Sequence, residues 1–344
     1  MKALLMEKYK HLNFTDVPAP ELTGDRDLLV RIRAAAICGS DVHGFDGSTG
    51  RRIPPVIMGH EASGEIVGIG KAVKDFNIGD RVTFDSTLYC GECDYCRKGS
   101  VNLCDNRKVI GVSCDEYRRD GTFAEFIVIP DYITYKLPEG LSFKEAAMAE
   151  PAAVAAHALR ITSVELNNSV AVVGTGLIGL LLIQILKTST SGKIIALDTD
   201  AFRLETAITM GADYGFDPSN PDTAAKVIKI CGGRGPDRVF EAVGITNSIK
   251  TAVQLVRKGG SVTLIGNIHP SIELPLQQVV TREVSLYGSC AMAGEYPVVL
   301  DLMVRNKINV KPLISAVAPL SEGQQWFERL YNREKGLLKI VLTP

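Results

Sequence analysis

The chain has 344 residues, of which 46% are hydrophobic and 22% charged, with a formal net charge of -1; that length suits two domains, each with its own packed core. A near-neutral chain has no long-range field to hold nucleic acid or an anionic lipid surface, so neither partner is expected. No stretch is long and unbroken enough to span a membrane, and the most apolar one, residues 170–186, is interrupted by Gly174, Gly176 and Gly179.

Residues 1–8 hold an apolar run too short for a signal peptide, which predicts a cytoplasmic protein. To about Pro138 the pattern predicts β-rich structure. Short apolar runs such as residues 28–32 and 123–128 are separated by Gly, Pro and Asp turn signals, with no long helical period. This part carries Cys38-Gly39-Ser40-Asp41-Val42-His43 and Gly59-His60-Glu61. Each is bland alone, since a lone Cys or His is more often core than ligand.

Next comes Cys90-x2-Cys93-x2-Cys96-x7-Cys104 in a polar, Gly-containing loop. Four thiolates can close a tetrahedron around zinc and leave no open position, which defines a structural site. Two disulfides or an iron–sulfur cluster are the alternatives. Disulfides disagree with a reducing compartment, and nothing else in the chain points to electron transfer. Cys114, Cys231 and Cys290 fall outside the pattern and read as buried small apolar residues.

From Phe143 the pattern changes to Ala-rich helix over residues 146–159, which includes Glu150-Pro151. Strands and helices then alternate: strands at 170–173, 193–197, 238–241 and 261–265, helices at 177–187, 203–210, 224–230 and 248–256. Alternation at this spacing predicts a parallel sheet covered on both faces. Gly174-Thr175-Gly176-Leu177-Ile178-Gly179 joins the first strand to the first helix. In that context the glycines permit a tight turn, a close approach to a pyrophosphate, and close helix–strand packing. The helix N-terminus offers free N–H groups to the phosphates. Asp198 ends the second strand at the spacing of the acid that binds the ribose hydroxyls of NAD and repels the 2′-phosphate of NADP. Arg203 complicates that choice, because it can stack on adenine or accommodate a 2′-phosphate. The chain closes on one or two helices and a strand over residues 337–342.

Taken together, Gly59-His60-Glu61-x2-Gly64-x5-Gly70-x2-Val73, the four-cysteine lobe and the glycine fingerprint resemble the zinc-containing medium-chain alcohol dehydrogenases along the whole chain. Residues 137–142, Glu150-Pro151 and His157-Ala158 resemble the sorbitol (L-iditol)/polyol dehydrogenase branch. The resemblance implies an α/β fold: a GroES-like β-barrel catalytic domain, residues 1–151 and 289–344, with an inserted Rossmann NAD-binding domain, residues 152–288. It implies Cys38, His60 and Glu150 as catalytic zinc ligands, Glu61 as a constant or intermittent one, and a structural zinc on Cys90, Cys93, Cys96 and Cys104. It also implies a proton relay through Ser40 and His43, a nicotinamide pocket at Val243, Ile265, Gly266 and Asn267, and a structural role for His157.

The implied activity is NAD-linked oxidation of a secondary hydroxyl on a polyol, cyclitol or similar small polar alcohol, in a homo-oligomer. The alternative readings within the same family are L-threonine 3-dehydrogenase, butanediol dehydrogenase and sugar-phosphate dehydrogenase. A non-catalytic nucleotide-binding protein has no use for the metal residues. Two positions depart from sorbitol dehydrogenases. Gly44 stands where they have an aromatic residue, which predicts a wider substrate wall, and Ser289-Cys290-Ala291 stands where many have a Phe-Arg pair.

Overall fold

The computed structural model describes residues 1–114 and 117–344. It divides into two compact units, Met1–Glu150 with Ala293–Pro344, and Pro151–Met292. The second unit begins one residue before the expected insert and ends four residues after it.

In the first unit, strand Asp27–Ala36 alternates buried and exposed residues over most of its length, the period-two signature of one face in a core. It is the spine of a seven-stranded sheet. Glu61–Ile69, Arg81–Phe84 and Thr134–Lys136 follow on one side. Lys339–Thr343 and Ile314–Pro319 follow on the other, and Phe126–Pro130 also pairs with the spine. The register has a direct consequence: Ala36 faces Glu61 on one neighbour and Val341 on the other. Chain positions near 38, 61 and 339 therefore meet at one end of the sheet. Met6, Phe84, Phe123, Phe327 and Ile340 belong to the core beneath.

Two helices interrupt this unit where only strands and turns were expected, Gly39–Gly44 and Asp94–Arg97. Both are under two turns, too short for a 3.6-residue period to show in the sequence.

The second unit is a six-stranded parallel sheet. Its order is Tyr214–Phe216, Ile194–Leu197, Val170–Val173, Arg238–Glu241, Ser261–Leu264, Ser285–Gly288. The strands Val170–Val173 and Ile194–Leu197 are buried at every position, as a sheet covered on both faces requires. Counted along this unit the order is 3-2-1-4-5-6, which reverses between Val170–Val173 and Arg238–Glu241. A doubly wound sheet binds its ligand in the crevice at that reversal, outside the carboxyl ends of the strands. Among the described residues no helix is long and apolar enough to cross a membrane.

Candidate active site

Cys38 leaves the spine strand and becomes the N-cap of the helix Gly39–Gly44. Its Sγ accepts from the Ser40 N–H at 3.5 Å, and its own N–H donates to Asp41 Oδ2 at 3.4 Å. The helix start thus turns the thiol to a fixed place. Across the register, His60 and Glu61 open the strand Glu61–Ile69. The ligand atoms of Cys38, His60 and Glu61 lie within 4.8 Å of one another. Glu150, at the start of helix Ala149–Thr162, is not one of that group. It is buried, and its Oε1 accepts from Ser86 Oγ at 2.9 Å. Burial pushes the Glu150 carboxyl up to about 7; the charge on His60 opposes the shift and that on Glu61 adds to it.

Three residues that the sequence did not single out tie this set together. Asp41 is fully buried, and its Oδ1 lies 3.5 Å from His60 Nδ1 and 2.9 Å from Arg52 Nη2. Burial alone would raise its carboxyl, but His60 and Arg52 outweigh that and hold it well below the usual range. Lys339, on the C-terminal strand, donates to Glu61 Oε2 at 2.6 Å and to the Ile37 carbonyl at 2.9 Å. Burial disfavours the Lys339 charge, and Glu61 and Cys38 restore it. Asp41 stands inside the quoted Cys38 motif. Arg52 gives no local signal, while Lys339 is a lone cation in an otherwise apolar run, which is one.

Ser40 is exposed beside Cys38, and its Oγ accepts from Arg52 Nη2 at 3.3 Å. His43 is half-buried on the same helix; burial and then Arg333 press its imidazole below the ordinary value, against Asp46. Gly44 corrects an expectation, because it opens no space. A Cβ there would sit 2.3 Å from Arg52 Cγ, so the arginine stem already fills the place.

A divalent ion suits this donor set. Asp41 is paired with Arg52 and Glu61 with Lys339. The Cys38 thiolate and the Glu150 carboxylate are then left to match a dication, with His60 as neutral donor.

In the loop, Cys90, Cys93, Cys96 and Cys104 are free thiols with all four Sγ atoms within 4.8 Å of one another. Cys90 Sγ is 3.6 Å from Cys104 Sγ and 4.0 Å from Cys96 Sγ. A zinc tetrahedron with ordinary Zn–S bonds has S–S edges of about 3.8 Å. A disulfide would bring sulfurs to about 2 Å, so that alternative is out. Backbone N–H groups of Glu92 and Cys93 draw the Cys90 thiol down to about 6. Cys114, Cys231 and Cys290 are each only partly buried, not the fully buried residues expected, because they lie in or beside loops.

In the second unit the glycine loop has the geometry its sequence requires. Gly174 has φ +92°, and a Cβ on it would meet Val243 Cγ2 at 2.4 Å. On Gly179 a Cβ would meet the Gly174 carbonyl oxygen at 2.0 Å, whereas at Gly176 it would meet nothing within 4 Å. The first and third glycines are thus packed against protein, and the second faces open space at the N-cap of helix Leu177–Ser189. Asp198 Oδ2 accepts from Thr175 N at 2.7 Å and from Thr175 Oγ1 at 3.1 Å, which ties the acid to the loop. Arg203 lies in the first turn of helix Ala201–Thr209, capped by Asp200.

Val243, Ile265, Gly266 and Asn267 follow the ends of the strands Arg238–Glu241 and Ser261–Leu264. Buried Glu241 fixes the first of these loops, its Oε1 accepting from Val243 N at 2.9 Å and from Gly244 N at 2.8 Å. The two loops touch: a Cβ on Gly266 would lie 2.2 Å from Gly244 N. His157 is buried, with Nδ1 at 3.2 Å from Arg160 Nη2.

Residues 24–139 match the family "Alcohol dehydrogenase GroES-like domain", and residues 178–305 match "Zinc-binding dehydrogenase". The chain is 34% identical over 341 residues to the D-arabitol-phosphate dehydrogenase of Enterococcus avium, covering 98% of this chain and 95% of that protein. It is 34% identical to the sorbitol dehydrogenase of Halalkalibacterium halodurans, over 100% of this chain and 99% of that one. Among solved structures it superposes on the alcohol dehydrogenase TADH of Thermus sp. ATN1 with a TM-score of 0.93 and 30% identity, covering 100% and 99% of the two chains.

Proposed function

Because this chain belongs to the zinc-containing medium-chain dehydrogenases, in their polyol dehydrogenase-like branch, we propose that it oxidises a secondary hydroxyl of a polyol, cyclitol or similar small polar alcohol to the ketone, with NAD as acceptor. The observation that carries this reading is the cluster of Cys38, His60 and Glu61, with Ser40 two residues from the thiol. Cys38, His60 and Glu150 would hold the catalytic ion, with Glu61 as an intermittent partner, and the four-cysteine lobe a second, structural one. When bound, the ion supplies Lewis acidity that favours the deprotonated alcohol, and the nicotinamide supplies the hydride acceptor.

The chain's own residues do the rest. Ser40 Oγ takes the alcohol proton and His43, kept neutral by its surroundings, passes it outward. Glu241 sets the loop at Val243 and Gly244, and with Ile265, Gly266 and Asn267 that loop forms the nicotinamide wall. Gly174, Gly176, Leu177, Ile178 and Gly179 cradle the pyrophosphate. Asp198, anchored by Thr175, accepts from the ribose hydroxyls and supports NAD over NADP, with Arg203 beside the adenosine.

Glu150 accepts from the hydroxyl next to the reacting one, and this makes the site a reader of diols. A site built to pair such a hydroxyl rejects analogues that lack it, since its polar group would stay unsatisfied. Initial-rate kinetics on matched pairs test this: a vicinal diol against its mono-deoxy alcohol, a cyclitol against cyclohexanol, and each polyol against its phosphate. The expectation is kcat/KM at least ~100-fold higher for the member with the neighbouring hydroxyl. Comparable values within pairs would move the reading to a general alcohol dehydrogenase. A clear preference for the phosphate would move it to the sugar-phosphate activity.

All eight cysteines are free, which supports a reducing, cytoplasmic setting. Strand Ser285–Gly288 is the last of its sheet, with Tyr287 exposed. Its open edge supports a dimer or tetramer, and a monomeric mass in sedimentation would refute that.

A further inference from the structure

Resting on this reading for the role of Ser40, we propose that Arg52 is a positioning residue of the active site: its stem takes the place left by Gly44, and its guanidinium fixes the Ser40 hydroxyl and Asp41 together.

The stem comes first. Arg52 is 3% exposed, and arginines are almost never so buried unless paired. A Cβ on Gly44 would lie 2.3 Å from Arg52 Cγ, 3.0 Å from Cβ and 3.6 Å from Cδ. These atoms are the root of the side chain and cannot swing away as its tip can. Any larger residue at 44 would evict Arg52, and Gly44 and Arg52 are therefore one packing unit.

The head follows from that seat. Arg52 Nε and Nη2 both reach Asp41 Oδ1, at 3.2 and 2.9 Å. Asp41 Oδ2 stays available for the Cys38 N–H, and Oδ1 also faces His60 Nδ1 at 3.5 Å. One carboxylate thus links Arg52 to two of the three clustered residues, Cys38 and His60. The same Nη2 donates to Ser40 Oγ at 3.3 Å.

Guanidinium has only donors. It occupies one lone pair of the serine oxygen, and the Ser40 proton must be donated elsewhere. The remaining lone pair is left for the substrate proton, which gives the relay a direction. A lysine offers a single point charge on a flexible stem and cannot span both partners in a fixed fork. Asp41 already neutralises Arg52, so the arginine is no anion-binding group.

Two coupled measurements test this. In thermal melts, Gly44→Ala should lower Tm in the native sequence and cost little in an Arg52→Ala background. Equal costs in both backgrounds would overturn the shared seat. In steady-state kinetics on enzyme of verified zinc content, Ser40→Ala and Arg52→Met should each lower kcat by ~10- to 100-fold while KM for NAD holds. The Ser40→Ala/Arg52→Met double variant should be no slower than the slower single. Multiplicative losses would overturn the assignment of Arg52 through Ser40 and leave the relay intact. Native kcat in Ser40→Ala would instead overturn the relay itself, and the role of Arg52 with it, while the Tm cycle would still judge the packing unit. If Arg52→Met alone does not fold, Asp41→Asn/Arg52→Met removes both charges and carries the same comparison. Arg52→Lys should fold without restoring kcat, and full rescue by lysine would refute the fork.

Discussion

Lys339→Met strikes the buried cation that joins the C-terminal strand to the cluster of Cys38, His60 and Glu61. Lys339 Nζ is 2.6 Å from Glu61 Oε2, with both side chains at most 2% exposed. Methionine keeps the length and apolar stem and removes the charge. Glu61 then loses its buried ion-pair partner, and removing one member of such a pair costs about 3–5 kcal/mol. The Ile37 carbonyl also loses its donor, which the same figure partly contains. For a unit of roughly 200 residues, each kcal/mol moves Tm by about 2–4 °C, so a drop of roughly 6–20 °C is expected. Trp326 is the single tryptophan of the chain and lies in the same unit, so its fluorescence reports that unit's unfolding. Glu61→Gln/Lys339→Met leaves no charge stranded and should recover a large part of the loss. A Lys339→Met loss under ~1 kcal/mol, or a double variant no more stable than the single, would show that the pair does not hold the strand.

Removal of zinc with a chelator should abolish activity, whereas Cys93→Ser should mainly lower stability, because a closed four-thiolate site contributes its binding energy to folding; elemental analysis finding no zinc would count against both sites, and one ion per chain against one of them. Asp198→Gly should narrow the preference for NAD, and a native enzyme with the higher kcat/KM on NADP would sink the assignment. Asp85 gives the pH dependence: burial, with the charges of Glu150 and Glu295 adding and the Thr87 N–H opposing, pushes its carboxyl from 3.8 up to about 8. A raised carboxyl contributes stability that is complete below about pH 4 and is lost as pH climbs through 8. Asp85→Asn should therefore flatten the fall in urea stability between pH 5 and 8, by up to ~1.4 kcal/mol per pH unit; parallel curves for the two proteins would refute it.

The parts legible in the sequence were those whose physics is local. Gly174, Gly176 and Gly179 lie within six residues, and each has the environment its spacing implied. The four cysteines sit in one short loop, and their sulfurs converge. Strands Val170–Val173 and Arg238–Glu241 begin and end where the alternation of strands and helices placed them, since a parallel strand is bounded by its own turns. What stayed hidden depends on register. Cys38, His60 and Lys339 approach only because Ala36 pairs with Glu61 and Val341 at once, and no local pattern encodes that. Ile314–Pro319 was not anticipated, because it joins the sheet only through the distant strand Lys339–Thr343. Gly44 was misjudged for a related reason. An absent side chain reads as free space until the residue that fills it, eight positions away, is seen.

The same distinction explains why Cys38, Glu61 and Glu150 were found while Arg52 and Lys339 were not, Asp41 being quoted only as part of the Cys38 motif. Residues that can ligate a metal are few in kind, and they stand next to glycines that let backbone turn. Cations that only balance charge can arrive from any element that reaches the cluster. Arg52 comes from the segment before strand Val56–Ile57, and Lys339 from the first residue of the last strand. Their effect is nonetheless specific. Without them Cys38, Asp41, Glu61 and Glu150 would place four potential negative charges around one imidazole in a largely buried pocket, more than a dication neutralises. Arg52 and Lys339 each cancel one carboxylate at 2.9 and 2.6 Å. On the proposed assignment, one thiolate and one carboxylate would then remain to match a dication, a shell with no net charge. On that assignment the two buried cations would act through the charge they remove, each from one carboxylate of the cluster.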